Sequence, residues 1–178
     1  MDSPPARYAG LWPRLLAFAL DYLILGGYLL LLLWVGVSLI GAFPGFSERI
    51  SANPLLGQLV GFTSLTLPVS LYFALSEASA RQATWGKRRL QLQVSDTAGA
   101  RLSLPRALLR TALKFVPWEL AHTSIWQLSA SSGEPPPLVM AGFILVWVLV
   151  GANLLAVLLT PRRQALYDLL AGTQVTQL

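Results

Sequence analysis

The sequence predicts an all-α membrane protein of four transmembrane helices, both termini cytoplasmic, with a small β-hairpin between the second and third helices. Three observations carry that expectation. Of 178 residues, 54% are hydrophobic and 12% charged, a charged share roughly half that of an ordinary soluble domain, and mean hydropathy is +0.59. Residues 15–42, 55–75 and 138–160 are apolar runs in which Asp21 is the only charge, and each reaches the roughly 20 helical residues that a hydrocarbon core takes. The basic residues are unevenly placed. Arg7 and Arg14 lie at the N-terminal end, eight Lys and Arg lie from Arg81 to Lys114, and Arg162 and Arg163 follow the last run; Arg49 alone falls between the first two runs. Lys/Arg bias sets orientation, and this pattern alternates correctly only with four crossings.

Taken in order, the first span is expected near residues 13–41. It is too long for a signal-peptide core and has no small-residue cleavage site, and its excess length implies tilt, projection or a kink near Gly26-Gly27. Residues 41–54 form a short external loop rich in breakers, with Phe43, Phe46 and nearby Trp34 at the outer interface. The second span covers about 55–76, and the connection 77–105 is cytoplasmic. There "LQLQV" and "ARLSL" alternate with period two around "SDTAG", which reads as a hairpin. "TWGKRR" has a Gly-Lys pair without the framework of a phosphate loop, and about thirty residues hold no catalytic soluble domain.

The third span, about 106–129, opens with Pro105 near its first turn. It carries Arg106, Arg110 and Lys114 four apart on one stripe, so an interfacial amphipathic helix is the alternative. Glu119 and His122 leave that stripe, which favours crossing. The fourth span is about 138–160. The tail 161–178 holds Ala165, Leu166, Leu169 and Leu170 as an amphipathic segment able to fold back on the bundle. The whole chain, 1–178, is read as one membrane domain.

The net charge of +5 would suit nucleic acid, but cytoplasmic anchoring beside anionic lipid accounts for the same residues. The expected partner is the bilayer, and nucleic acid is not expected. Absence of cysteine removes disulfides, thiolate chemistry and cysteine metal sites.

A carboxylate inside a bilayer needs a partner or a purpose. Arg14 and Asp21 share a helical side but stand seven residues apart, about 10 Å along the axis. Asp21 is therefore expected to take a basic partner on another helix, first Arg110, then Arg14, with Arg162 or Arg163 reached only if the tail folds inward. Such a cluster, with Asp168, either fixes helix packing or forms part of an ion path, and pairing alone suffices to explain it. "KFVPWELAHT" places Glu119 and His122 on one face near Lys114. A Glu-x-x-His pair can ligate metal when several helices contribute, but the chain has one histidine, so no metal and no cofactor are expected. A hydrogen-bonded couple that gains and loses a proton is the better reading. Pro117 frees the carbonyl of residue 113, and Asn153 is a further polar group able to support this site.

With these residues in view, the chain resembles the RDD family of small integral membrane proteins, named for one arginine and two aspartates. "AGLWPRLLAFALDYLI" is similar to the family's opening segment and places its arginine at Arg14 and first aspartate at Asp21. "TWGKRRLQLQVSDTAGARLSLPRALLRT" resembles the stretch between its second and third spans. "RRQALYDLLAGTQV" resembles the closing motif and places the second aspartate at Asp168. The resemblance implies a multi-pass cell-membrane protein, in a bacterial inner membrane; no enzymatic activity is expected, because the sequence shows neither a nucleophile–base arrangement nor a full set of metal ligands. Cation–proton exchange, proposed for some relatives, or small-solute transport is the leading function implied, with monovalent cations or protons as ligands. A role as accessory subunit of another membrane protein is the alternative. Four helices are few to line a path, so exchange implies a homodimer or larger membrane complex. "FVPWELAHT" looks like a subgroup feature.

Overall fold

The computed structural model describes residues 7–131 and 133–178; residues 1–6, assigned above to the cytoplasmic side, lie outside the described residues. After a two-residue strand β1 (Arg7–Tyr8), α1 runs without interruption over Leu11–Ala42. At 1.5 Å per residue it is about 48 Å long, well beyond a hydrocarbon core of about 30 Å. Gly45, at φ 80°, precedes the short helix α2 (Phe46–Ser51). Asn53 then caps α3 (Pro54–Gly61), its side chain accepting the Leu56 N–H. A π-helical turn, Phe62–Thr66, joins α3 to α4 (Leu67–Ala78).

The π turn has a cause in the sequence. Pro68 has no N–H for the carbonyl four residues earlier, and its ring crowds that carbonyl. The carbonyl belongs to Ser64, and it accepts the Tyr28 hydroxyl instead. A wider turn with a side-chain donor thus replaces the missing backbone bond.

Among the described residues, three helices are long and apolar enough to cross a membrane: Leu11–Ala42, Pro54–Ala78 and Pro137–Leu159. The last is α7. The helix α6 (Leu104–Ala130) passes through Pro117 without a break and carries the charges noted above.

By backbone contacts the chain forms two compact units. The first comprises residues up to Ile24, Ser70–Lys114 and Gly151–Leu178; the second comprises Leu25–Val69 and Phe115–Val150. In the first unit, α5 (Trp85–Arg89) leads into β2 (Leu92–Asp96), and α8 (Leu166–Ala171) leads into β3 (Thr173–Gln177). The three strands form an antiparallel sheet in the order β1-β3-β2. Val94 faces Val175, Leu92 and Tyr8 flank the same central strand, and Leu92, Val94 and Val175 pack with Ala9, Ala17, Ala74, Leu102 and Ala107.

The expected local hairpin is therefore corrected. Its first arm is β2, but residues 100–104 make only one bridge, Ser95 with Arg101, closed by Asp96 N–H on the Ala100 carbonyl. Helix α6 begins at Leu104 with Pro105 next, which leaves no length for a second arm. The chain's last strand pairs with β2 along the opposite edge, so that Ser95 faces Gln174 on one side and Arg101 on the other. Residues 161–178 likewise contain a helix only over Leu166–Ala171, closed by Gly172 in the left-handed conformation at φ 64°, after which "TQVTQ" alternates as β3.

Candidate functional site

Two groups of polar side chains stand out, one in each unit. In the first unit, Asp168 is fully buried in α8 and accepts four hydrogen bonds. Arg110 Nε (2.8 Å) and Thr173 Oγ1 (2.9 Å) donate to Oδ1; Arg14 Nη1 (2.7 Å) and the Ala165 N–H (3.2 Å) donate to Oδ2. Burial alone would raise its pKa, but the Arg110 and Arg14 guanidiniums outweigh that and hold it at about 2. Arg14 also donates to the carbonyls of Ala9 and Arg163, tying the start of the chain to its tail. Arg110 Nη1 donates to Glu77 Oε2 at 2.6 Å, and Lys87 donates to Glu77 Oε1. Burial pushes the Lys87 ammonium below its ordinary range despite Glu77 beside it. Lys114 Nζ lies over the Phe73 and Phe18 rings, 3.5 and 5.1 Å from their centroids, where the ring faces attract a cation.

Asp21 does not take the basic partner expected of it. Its buried carboxylate accepts the Tyr72 hydroxyl (2.8 Å), the Thr84 hydroxyl (2.6 Å) and the Gly86 N–H (2.7 Å). No ion pair of Asp21 occurs among the described residues. Arg110, the first choice, is consumed by Glu77 and Asp168, and Arg14, the second, by Asp168; Arg162 and Arg163 are not its partners either. Neutral donors do the work instead, since hydrogen bonds to the charged form stabilise a buried carboxylate. Gly86 makes the geometry available: a Cβ there would collide with the backbone carbonyl of Ala17, so only glycine brings this amide onto Asp21. Thr84 meanwhile caps α5, accepting the Lys87 N–H.

The second unit holds a different arrangement. Glu119, in α6, accepts Gln58 Nε2 from α3 at 2.7 Å and the Thr66 hydroxyl from the π turn. Trp118 Nε1 donates to Thr66 Oγ1 at 3.2 Å, orienting that hydroxyl. The ion-pair partner of Glu119 among the described residues is His122, with Nδ1 3.6 Å from Oε1, too far for a hydrogen bond. The Trp118 ring packs edge-on against the imidazole. Among the described residues, His122 Nδ1 and Gln58 Oε1 are buried atoms with no hydrogen-bond partner, as are Thr111 Oγ1 and Gln174 Oε1 in the first unit. A buried orphan polar atom is costly unless something occupies it. Here two orphans accompany a carboxylate contacted by neutral donors and a histidine.

The residues named from sequence thus divide. Arg14, Arg110, Lys114 and Asp168 fall in the first unit with Asp21, while Glu119 and His122 fall in the second. Asn153 belongs to the first, where its side-chain oxygen receives the Tyr167 N–H at 3.4 Å, rather than to the Glu119 couple it was expected to support. Glu77 and Tyr72 in the first unit, and Gln58 and Thr66 in the second, do not stand out through any motif in the sequence, and Thr84, Gly86 and Lys87 do so only within "TWGKRR", as a Gly-Lys pair without a phosphate-loop framework. Glu77 lies just past the second apolar run, where it reads as loop; Gln58 stands alone as an amide in "LLGQLVG", which was the available signal. No group of three or more side chains suited to a metal comes together among the described residues.

A family model described as the RDD family matches residues 8–172. No curated protein and no solved structure matches the chain significantly.

Proposed function

We propose, for a chain that belongs to the RDD family, a role in exchanging protons for a monovalent cation across the membrane, with Glu119 and His122 as the exchanging pair. One observation carries this reading: Glu119 is the carboxylate held among apolar helices by neutral donors and a histidine, with two orphan polar atoms beside it. An intramembrane carboxylate is costly and marks ion or proton pathways by default. A cation bound at the Glu119 oxygens, with Gln58 Oε1 as a further ligand, would displace one proton from the Glu119–His122 pair, so charge balances as one cation enters and one proton leaves. The first unit's carboxylates are already satisfied and serve packing in this scheme.

The reading includes four crossings. Helix α6 counts as the fourth span because its Arg110 charge is compensated internally and Lys114 is shielded by rings, and both termini with the 77–105 connection lie in the cytoplasm by the basic-residue bias. It places the chain in a cell membrane, assigns it no enzymatic step, and makes the path a homodimer's, since four helices line little space. A second reading, an accessory subunit of another membrane protein, is favoured by the closed ion-pair network of the first unit.

Purified protein in sealed liposomes tests the choice. A pH gradient should drive sodium or potassium flux, abolished by Glu119→Gln with the protein still folded. Absence of flux from folded wild-type protein, with co-purification of one larger membrane complex, would leave the accessory reading.

A further inference from the structure

The first unit has an exposed charge of one kind. Ten arginines fall in it; Arg14 and Arg110 turn inward, and the other eight, from Arg7 to Arg163, are exposed. Its described acids offer little to balance them. Asp21, Glu77 and Asp168 are buried, and Asp96 is half-buried with a single pair to Arg106 at 3.3 Å. The exposed cations are all arginines, because the chain's two lysines are committed elsewhere, Lys87 to Glu77 and Lys114 to the Phe73 and Phe18 rings. Arginine presents a planar fork that grips phosphate oxygens in pairs.

Apolar residues accompany this surface outside the long helices. In α8, Leu169 is 45% exposed and Leu170 63%, although the opposite side of the same short helix is anchored by Asp168. Arg162 and Arg163 stand just before α8 in the chain. Arg163 is held in place: its carbonyl receives Arg14 and its guanidinium lies against Gly10. In α5, Arg89 lies over the Trp85 ring, 5.2 Å from its centroid, next to exposed Arg88. Exposed leucines in α8, with exposed arginines just before it in the chain, match the boundary between acyl chains and phosphate headgroups.

We infer that the exposed arginines and leucines of the first unit bind anionic phospholipid, with Leu169 and Leu170 entering the acyl boundary while Arg88, Arg89, Arg162 and Arg163 hold lipid phosphates. This goes further than orientation by charge bias, since it requires selectivity among lipids. It is independent of ion exchange, because none of these residues belongs to the Glu119 group.

The test uses full-length protein in vesicles mixing phosphatidylcholine with phosphatidylglycerol, measuring relative association of spin-labelled forms of each lipid. Phosphatidylglycerol should be preferred, and Arg88→Gln/Arg89→Gln or Arg162→Gln/Arg163→Gln should each weaken that preference, by up to about fivefold per arginine. Arg49→Gln, in the second unit, should leave it unchanged. Equal association of the two lipids, or an equal loss in Arg49→Gln, overturns the proposal. So does full displacement by inorganic phosphate at matched ionic strength, which would mean a site for free anions. A fluorophore on a cysteine introduced at Leu170 should be quenched by lipid-borne quencher; quenching only by a water-soluble agent overturns the insertion.

Discussion

The two units handle buried charge in opposite ways. In the first, Arg110 bridges Glu77 and Asp168 while Arg14 and Lys87 complete the network, and Asp21 is surrounded by three donors. In the second, Glu119 has two neutral donors and a histidine just beyond hydrogen-bond distance, with orphan atoms on both His122 and Gln58. A network closed on itself resists change, because any altered protonation leaves a buried charge without its counterpart. The Glu119 group has no such lock. The comparison teaches that an embedded carboxylate can be held by guanidiniums, as Asp168 is, by neutral donors alone, as Asp21 is, or by neutral donors beside a histidine, as Glu119 is.

The largest effect expected from breaking this contrast lies at Arg110. Arg110→Leu leaves Glu77 with Lys87 alone and Asp168 with Arg14 alone, and removal of one partner from a buried ion pair costs about 3–5 kcal/mol. Folded protein recovered from the membrane should fall sharply, as read by size-exclusion in detergent. Retention of wild-type yield and melting temperature would mean that the network is not what holds the first unit.

Asp21→Asn comes next. The amide places an N–H toward the hydroxyl and backbone donors that now face a carboxylate, costing about 1–3 kcal/mol. Melting temperature should drop while the variant still folds. An unchanged melting curve would sink the role given to Tyr72, Thr84 and Gly86.

Acid titration gives a smaller effect. Asp168 is held at about 2, below its ordinary 3.8. Its stabilisation is therefore complete above about pH 4 and declines as pH falls through about 2. Melting in detergent should weaken across that window, and Asp168→Asn should flatten the dependence. The same slope in Asp168→Asn would assign it to another group.

Much of this architecture was legible in the chain. Runs without charge mark the long helices, and "LQLQV" marks β2, because burial leaves its period on sequence. The strand's partner was not legible, since β3 lies about eighty residues away and nothing local specifies a long-range edge. Arg14 and Asp168 were visible as charges, but Asp21's partners were not, because hydroxyls and a glycine N–H look ordinary until the fold places them on a carboxylate. Glu119 and His122 were visible through their spacing. Gln58 was visible as a lone amide in an apolar run but its partner on α6 was not, and Thr66 was hidden because its hydroxyl meets Glu119 only through the fold.

The most direct test sets Glu119→Gln beside Asp168→Asn in sealed liposomes, with melting and pH-driven cation flux measured on the same preparations. The account predicts that Glu119→Gln keeps its fold and loses flux, whereas Asp168→Asn loses stability and its remaining folded fraction still exchanges. A folded Glu119→Gln protein with wild-type flux would contradict it.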